Sequence, residues 1–182
     1  MNYCGIKDCD IADGPGVRVT LFVSGCRNRC PVCFQPETWD FARGAPFDAS
    51  AEERLFALLD RPYIRGLTLL GGEPMEPENQ RALYPFAQKV RKRFPRKDLW
   101  IYSGYPFERL LTEGAHPHTE VTLPLLSLGD VLVDGPFVRE LKDPLLRFRG
   151  SGNQRILDLP ASLRLGRAVR RPEDSPRTCP GD

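Results

Sequence analysis

Three cysteines stand within eight residues of one another, in the segment Cys26-Arg-Asn-Arg-Cys30-Pro-Val-Cys33. A C-x3-C-x2-C spacing is typical of a metal or iron–sulfur centre, because unligated cysteines usually occur singly in protein cores. A structural zinc site needs four ligands, usually as two separated pairs, and no second C-x2-C or H-x3-H pair follows in the sequence. The spacing therefore favours a three-cysteine iron–sulfur site, with zinc as the alternative.

Three thiolates have a chemical consequence for such a centre. A [4Fe–4S] cluster normally uses four thiolates, so with three of them one iron keeps open coordination positions. That iron can bind a substrate or a second cofactor directly, and an electron can pass to the bound molecule without a gap. Cys4 and Cys9 could supply a fourth ligand to a zinc ion, although their x4 spacing is not that of a zinc ribbon, and Cys179 lies in a proline-rich tail. The roles of these three cysteines stay open.

Four strand-like segments each end in a loop that carries functional residue types. Alternating or short apolar runs predict strands over residues 17–23, 67–70, 99–102 and 131–133. The strands run into the following loops: the cysteine cluster, Gly71-Gly72-Glu73-Pro74, Ser103-Gly104-Tyr105 and Asp134-Gly135-Pro136. Strand–helix alternation brings the carboxyl ends of parallel strands to one edge of a sheet. We therefore expect the four loops to form one site.

The segments between the strands predict two helices and a loop. Ser50 and Glu53 form a capping-box signature for a helix that runs through Asp60, and apolar spacing predicts a second helix over residues 78–94. Residues 112–125 indicate a loop or an irregular crossover. We predict a folded domain over residues 1–160. The arginine- and proline-rich residues 161–182 are expected to form a disordered tail.

Composition argues against several classes of function. The 182 residues include 26 Lys and Arg against 24 Asp and Glu, and without the tail the two counts are 21 each. A neutral body disfavours a nucleic-acid binder that depends on phosphate neutralisation. No apolar run approaches the length of a membrane-spanning helix, and the amino terminus lacks a signal-peptide pattern. We expect a cytoplasmic protein without a nucleic-acid or membrane partner.

Two of these motifs resemble those of the radical S-adenosylmethionine superfamily. Cys26-x3-Cys30-x2-Cys33-Phe34 looks like its cluster signature, and Gly71-Gly72-Glu73-Pro74 looks like its motif for the methionine end of the cofactor. Asp13-Gly-Pro-Gly-Val-Arg18 resembles an element of glycyl-radical-enzyme activases. Five further segments occur in the order seen in activating proteins of anaerobic (class III) ribonucleoside-triphosphate reductases: Met1-Asn2-Tyr3, Pro36-Glu-Thr-Trp39, Trp100-Ile-Tyr-Ser-Gly-Tyr105, Val131-Leu-Val-Asp-Gly-Pro-Phe137 and Phe148-Arg-Gly-Ser-Gly-Asn-Gln-Arg155.

The resemblance covers about residues 1–158, with few departures. Gln35 stands where the family usually has Asn, which puts any Asn-specific contact there in doubt. The stretch around His116-Pro-His118 and the tail fall outside the family pattern. No catalytic acid or base is required, so the two histidines need no catalytic role and are expected to be exposed in a loop.

The resemblance implies a fold, two cofactors and a reaction. The fold would be α/β, a partial, open (β/α) barrel of the radical S-adenosylmethionine type with mostly parallel strands. Cys26, Cys30 and Cys33 would bind one [4Fe–4S] cluster. Reductive cleavage of S-adenosylmethionine at that cluster would yield a 5′-deoxyadenosyl radical, which would take a hydrogen atom from a backbone glycine of the partner. The residues implied to bind S-adenosylmethionine are Val32, Cys33, Phe34, Gly71, Gly72, Glu73 and Ser103.

The implied enzyme is an oxidoreductase that needs two protein partners. These would be an anaerobic ribonucleoside-triphosphate reductase as substrate and a low-potential electron donor such as flavodoxin or ferredoxin. A radical S-adenosylmethionine enzyme acting on another glycyl radical enzyme or on a small molecule is one alternative, and a zinc-binding interaction module is a remote one. Asp134–Phe137 and Arg149–Arg155 are either ordinary turns or a rim that receives the glycine loop of the partner.

Overall fold

The computed structural model describes residues 1–172, so Cys179 and the rest of the carboxyl-terminal segment lie outside the described residues. One mixed sheet of seven strands, in the order β3-β1-β2-β4-β5-β6-β7, organises this part of the chain. The strands are β1 (Asn2–Asp10), β2 (Val17–Val23), β3 (Ala45–Pro46), β4 (Ile64–Gly71), β5 (Asp98–Ser103), β6 (Val131–Asp134) and β7 (Arg155–Asp158).

The central strands β2, β4, β5 and β6 are parallel, and the edges are antiparallel. All four predicted strands are confirmed, and with them the mixed α/β class with a parallel centre. The register pairs Val23 with Gly71, and Ser103 with Asp134. The carboxyl ends of the parallel strands therefore meet at one edge of the sheet, together with the loops that follow them.

The helices pack against one face of this sheet. They are α1 (Ala49–Leu59), α2 (Pro77–Arg93), α3 (Phe107–Leu110), α4 (Thr122–Leu128) and α5 (Leu159–Leu165). In β5, Leu99 and Ile101 belong to the large core beneath the helices, while Trp100 belongs to a small second cluster. Since successive strand residues point to opposite faces, the second cluster marks the other face of the sheet. Loops line that face and leave it accessible.

The first helix begins at a different cap from the one that the sequence predicts. The Ala51 N–H donates to Oδ1 of Asp48 at 3.0 Å, so Asp48 is the N-cap and the predicted capping box at Ser50 is wrong. Ser50 lies in the first turn, where it cannot serve as cap. The second helix confirms its prediction within one residue at each end, with Pro77 at its first turn, where a missing N–H costs nothing.

Two predicted boundaries need correction. Helix α4 occupies the end of the predicted 112–125 loop, and Leu125 and Leu126 bury their side chains in the core. Helix α5 crosses the boundary predicted at residue 160. Asp158 caps this helix by accepting from the Ala161 N–H at 2.8 Å, and Leu163 packs on the core. Residues 161–172 are therefore ordered against the body, and the remainder of the predicted tail lies outside the described residues. No helix among residues 1–172 is long and apolar enough to cross a bilayer.

Candidate functional site

One cavity of about 560 Å³ lies at the carboxyl ends of the parallel strands and continues along the face without helices. Its lining brings together nearly all of the residues predicted to bind the cluster or the cofactor. Val32 is the exception, because its side chain is 51% exposed on the cysteine loop and does not belong to the lining. The predicted residues that line the cavity are Cys26, Cys30, Cys33, Phe34, Gly71, Gly72, Glu73 and Ser103.

The loop that carries the cysteines is fixed at its start and shaped by unusual backbone angles. The Gly25 N–H donates to the Thr38 carbonyl at 2.7 Å, which ties the end of β2 to the segment after the cysteines. Arg29 and Val32 have φ values of 42° and 56°, in the left-handed region that non-glycine residues rarely adopt. Such residues cluster at functional sites, where the surrounding structure supports the strain.

Glu76 anchors the cysteine loop to the amino-terminal end of α2. This side chain is fully buried, and its Oε1 accepts from the Arg27 N–H at 2.8 Å and from the Tyr105 hydroxyl at 3.0 Å. Its Oε2 lies 2.6 Å from Arg27 Nη1 and 2.9 Å from His116 Nε2. Burial alone would raise the pKa of Glu76, but its hydrogen bonds with His116, Arg27 and Tyr105 outweigh burial and lower it. Glu76 is therefore a buried carboxylate that holds the loop between two cysteines.

Glu73 lies close to Glu76 but has a different electrostatic environment. The Met75 N–H donates to its Oε1 at 2.9 Å, while the Gly104 N–H and the Asn28 amide donate to its Oε2 at 2.7 and 2.9 Å. Burial raises the pKa of Glu73 to about 7, because these donors are neutral and oppose the effect only in part. A cationic group at this site would stabilise the carboxylate form. The environment therefore suits an amine.

The glycines before Glu73 serve the packing of the loop. A β-carbon at Gly72 would lie 2.5 Å from the Gly25 carbonyl oxygen, and one at Gly71 would lie 2.6 Å from the backbone nitrogen of Val23. Gly71 also has a φ of 107°, which glycine adopts at no steric cost. These glycines let the loop after β4 approach the end of β2. In the structure, the two glycines therefore allow two backbone segments of the protein to lie in close contact.

The three thiols fit an iron–sulfur cluster better than a single ion. Among the described residues, no three His, Cys, Asp or Glu side chains converge on one metal position. A cluster does not require this, because each thiolate binds a different iron and the thiols surround the group. Burial and the charge of Glu73 raise the pKa of Cys26 to about 12, and burial raises that of Cys30. Thiolates at these positions need a nearby positive charge, which a bound metal centre would supply.

The two histidines differ from the expectation of plain exposed loop residues. His116 keeps 43% of its side chain exposed, but its ring nitrogen bonds to the buried Glu76. His118 Nδ1 lies 2.8 Å from the Leu110 carbonyl oxygen, which ties the crossover to α3. Cys4 Sγ lies 3.1 Å from Ser24 Oγ, and Cys9 is exposed on β1. Neither cysteine lines the cavity with the other three.

The late glycine-containing segments also reach the cavity. Gly135, Phe137, Gly150 and Gln154 belong to its lining. The Tyr102 hydroxyl donates to the Phe148 carbonyl at 2.8 Å and fixes this wall to β5. Both segments thus lie beside the cysteines, where a rim that receives the glycine loop of a partner would have to lie.

Sequence reasoning missed several residues that organise the site. Glu76 and Asn28 are two of them. Asn79 is a third, since its buried amide donates to the carbonyls of Ser24 and Glu73, both at 2.9 Å. Glu76 and Asn79 lie within five residues after the glycine-rich motif, and this closeness to the motif was the only sign in the sequence that they belong to the site. Asn28 gives no signal in the sequence, because its partner lies 45 residues away.

The fold and the site define a class of protein: a mixed α/β chain with a three-thiol loop beside a glycine-rich acidic loop. Accordingly, the family model of the 4Fe-4S single cluster domain matches residues 12–157. The anaerobic ribonucleoside-triphosphate reductase-activating protein of Escherichia coli (strain K12) is 39% identical over 156 residues, covering 85% of this chain and 96% of the relative.

Two further relatives carry the same name. The protein of Haemophilus influenzae is 40% identical over 158 residues, covering 86% of this chain and 97% of the relative. The protein of Enterobacteria phage T4 is 38% identical over 156 residues, covering 86% and 93%. This chain belongs to the family of anaerobic ribonucleoside-triphosphate reductase-activating proteins, which confirms the resemblance seen in its motifs.

Proposed function

We propose that this chain is a radical S-adenosylmethionine activase that generates the glycyl radical of an anaerobic ribonucleoside-triphosphate reductase. The observation that carries the proposal is the shared cavity, which brings Cys26, Cys30 and Cys33 beside Gly71-Gly72-Glu73 at one edge of the sheet. The names of the relatives support the choice of partner. Four parallel strands with helices on one face also support a partial, open (β/α) barrel of the radical S-adenosylmethionine type.

The proposed ligands divide between two neighbouring loops. Cys26, Cys30 and Cys33 would hold three irons of a [4Fe–4S] cluster and leave the fourth iron for S-adenosylmethionine. Glu73 would accept a hydrogen bond from the amino group of that cofactor, since its carboxylate lines the cavity and its backbone and amide donors are all neutral. Ser103 and Phe34 line the same cavity and are proposed to contact the remainder of the cofactor.

The protein positions the cofactors for this chemistry and excludes water from them. When bound, the cluster and S-adenosylmethionine would supply a one-electron reductive cleavage, with the electron drawn from the low-potential donor, and with it the removal of a hydrogen atom from a backbone glycine of the reductase. The buried Glu76 keeps the cysteine loop in place through Arg27. Apolar side chains such as Phe22, Leu70 and Phe148 line the cavity and limit water around a reactive intermediate.

An anaerobic spectroscopic experiment tests the proposal. The cluster is reconstituted and reduced by a low-potential donor such as flavodoxin or ferredoxin, and S-adenosylmethionine and the reductase of the same organism are added. We expect labile sulfide in the activase, 5′-deoxyadenosine in solution and a glycyl doublet on the reductase in the electron paramagnetic resonance spectrum. Single Cys→Ala variants at positions 26, 30 and 33 should abolish all three signals, while Cys9→Ala should keep them.

The possible failures separate the alternatives. A colourless zinc protein without sulfide would refute the iron–sulfur assignment. If 5′-deoxyadenosine formed without a glycyl signal, the activase would have a different substrate. If a reduced and intact cluster cleaved no S-adenosylmethionine, the whole mechanism would be wrong.

A further inference from the structure

Exposed apolar side chains concentrate around the mouth of the cavity. Eight large apolar residues are exposed within residues 1–172, and five of them lie in the loops that border the cavity. Single exposed apolar residues are ordinary on protein surfaces, but a group around one opening indicates an interaction site. We call the following five residues the apolar collar: Ile11, Val32, Phe34, Leu141 and Leu145.

The collar is continuous with the cavity wall. Phe34 packs edge-on against Phe137 at a centroid distance of 5.9 Å, and Lys142 Nζ lies 5.4 Å from the centre of the Phe34 ring. The cysteine loop and the 136–150 loop therefore contact each other beside the opening. Leu145 lies between two lining residues and is 87% exposed. Nothing within the described residues covers its side chain.

The segment that carries Leu141 and Leu145 is basic overall. Residues 136–149 include four basic residues against two acidic ones, whereas the cavity lining has three basic and three acidic side chains. Lys142 lies between Leu141 and the Phe34 ring, so charge and apolar surface alternate at the same edge. A partner surface that fits this edge needs apolar side chains together with carboxylates.

We infer that the apolar collar docks the reductase segment that carries the target glycine, through apolar and acidic residues on either side of that glycine. The inference rests on the proposed function. A glycine has no side chain to recognise, so specificity for it must come from flanking residues, and those residues meet the surface around the opening. The collar is the exposed apolar surface at that place, and the neighbouring lysines and arginines suit an acidic segment.

A matched pair of double variants tests the inference. The collar variant combines Leu141→Ser with Leu145→Ser. The control variant combines Leu123→Ser with Leu165→Ser, whose side chains lie on α4 and α5. Leu141 and Leu123 are each 48% exposed, and Leu165 is 52% exposed, so both variants remove leucines that contribute little to folding. Urea titrations of both variants should match that of the parent.

Two readouts separate docking from catalysis. Binding of the activase to fluorescently labelled reductase is titrated at low and high salt, and 5′-deoxyadenosine release is measured without reductase. We expect the collar variant to bind at least about tenfold more weakly, since two leucines lose their burial in the complex. The control should bind within about twofold of the parent. Both should release 5′-deoxyadenosine at the parental rate, and salt should weaken parental binding.

Specific outcomes would overturn the inference. Equal binding by the collar and control variants would show that the collar does not dock the reductase. The same conclusion would follow if the collar variant changed only the self-association of the activase in sedimentation, because the collar would then be a surface between copies of this chain. If the parent released no 5′-deoxyadenosine even with the reductase present, the proposed function would be refuted, while the binding titration would still decide the role of the collar.

Discussion

Glu76 gives the most direct test of how the cysteine loop is held. In a Glu76→Gln variant, the amide oxygen can replace Oε1 and keep the neutral donors, which are the Arg27 N–H and the Tyr105 hydroxyl. The amide nitrogen then faces the Arg27 guanidinium and His116 where Oε2 had accepted. The hydrogen bond to the Arg27 guanidinium, which joins opposite charges, is lost, whereas a neutral His116 ring can still accept from the amide nitrogen.

The size of the loss follows from burial. A hydrogen bond to a charged group contributes about 1.5–3 kcal/mol, and breaking a fully buried ion pair costs about 3–5 kcal/mol. Arg27 remains 45% exposed, so solvent screens its charge and the lower end of this range applies. We expect Glu76→Gln to lower the free energy of unfolding by about 2 kcal/mol.

Glu78 provides the matched control. It also makes two contacts with the Arg27 guanidinium, at 2.6 and 3.0 Å, but its side chain is 49% exposed. Because exposed ion pairs contribute little, Glu78→Gln should cost about 0.5 kcal/mol or less. Urea titrations of the cluster-free chains measure both values, and iron and sulfide per chain after reconstitution report on the loop itself. Equal costs for the two variants would refute the argument from burial.

Two further predictions concern the backbone and the cavity wall. Gly72→Ala should destabilise the chain by about 1–3 kcal/mol and lower cluster content, since its β-carbon would lie 2.5 Å from a backbone oxygen, whereas Gly5→Ala meets no atom within 4 Å and should have little effect on cluster content. Burial, then the hydrogen bond and charge of Asp10, raise the pKa of Asp13 from 3.8 to about 7, so the folded chain retains a proton that the unfolded chain loses. Stability should therefore fall by about 1–2 kcal/mol as the pH rises from about 4 to 7, after allowance for solvent screening. Asp13→Asn should remove its share of that slope in urea titrations, while the share of Glu73, whose pKa is also raised to about 7, remains; an unchanged slope would contradict the assignment.

The central strands could be predicted because each is apolar and leads directly into a distinctive loop. The edge strands could not. Strand β1 contains Gly5 and several charged residues and has no clear alternation, so its pairing with β2 and β3 creates the strand. Strand β7 has four residues and forms by pairing with β6. In both cases the decisive interaction is a partner distant in sequence, which local patterns do not encode.

The same limit applies to two glutamates, one in the glycine-rich motif and one just after it. Glu73 and Glu76 lie three residues apart, are both buried and look equivalent in the sequence. The pKa of Glu76 is lowered because hydrogen bonds from His116 on the crossover and from Arg27 on the cysteine loop reach it, while Glu73 has only neutral donors and a pKa of about 7. Glu76 already has its positive charge within the protein, so it is suited to hold structure. Glu73 still lacks one, so it is the glutamate that gains most from a ligand with an amino group.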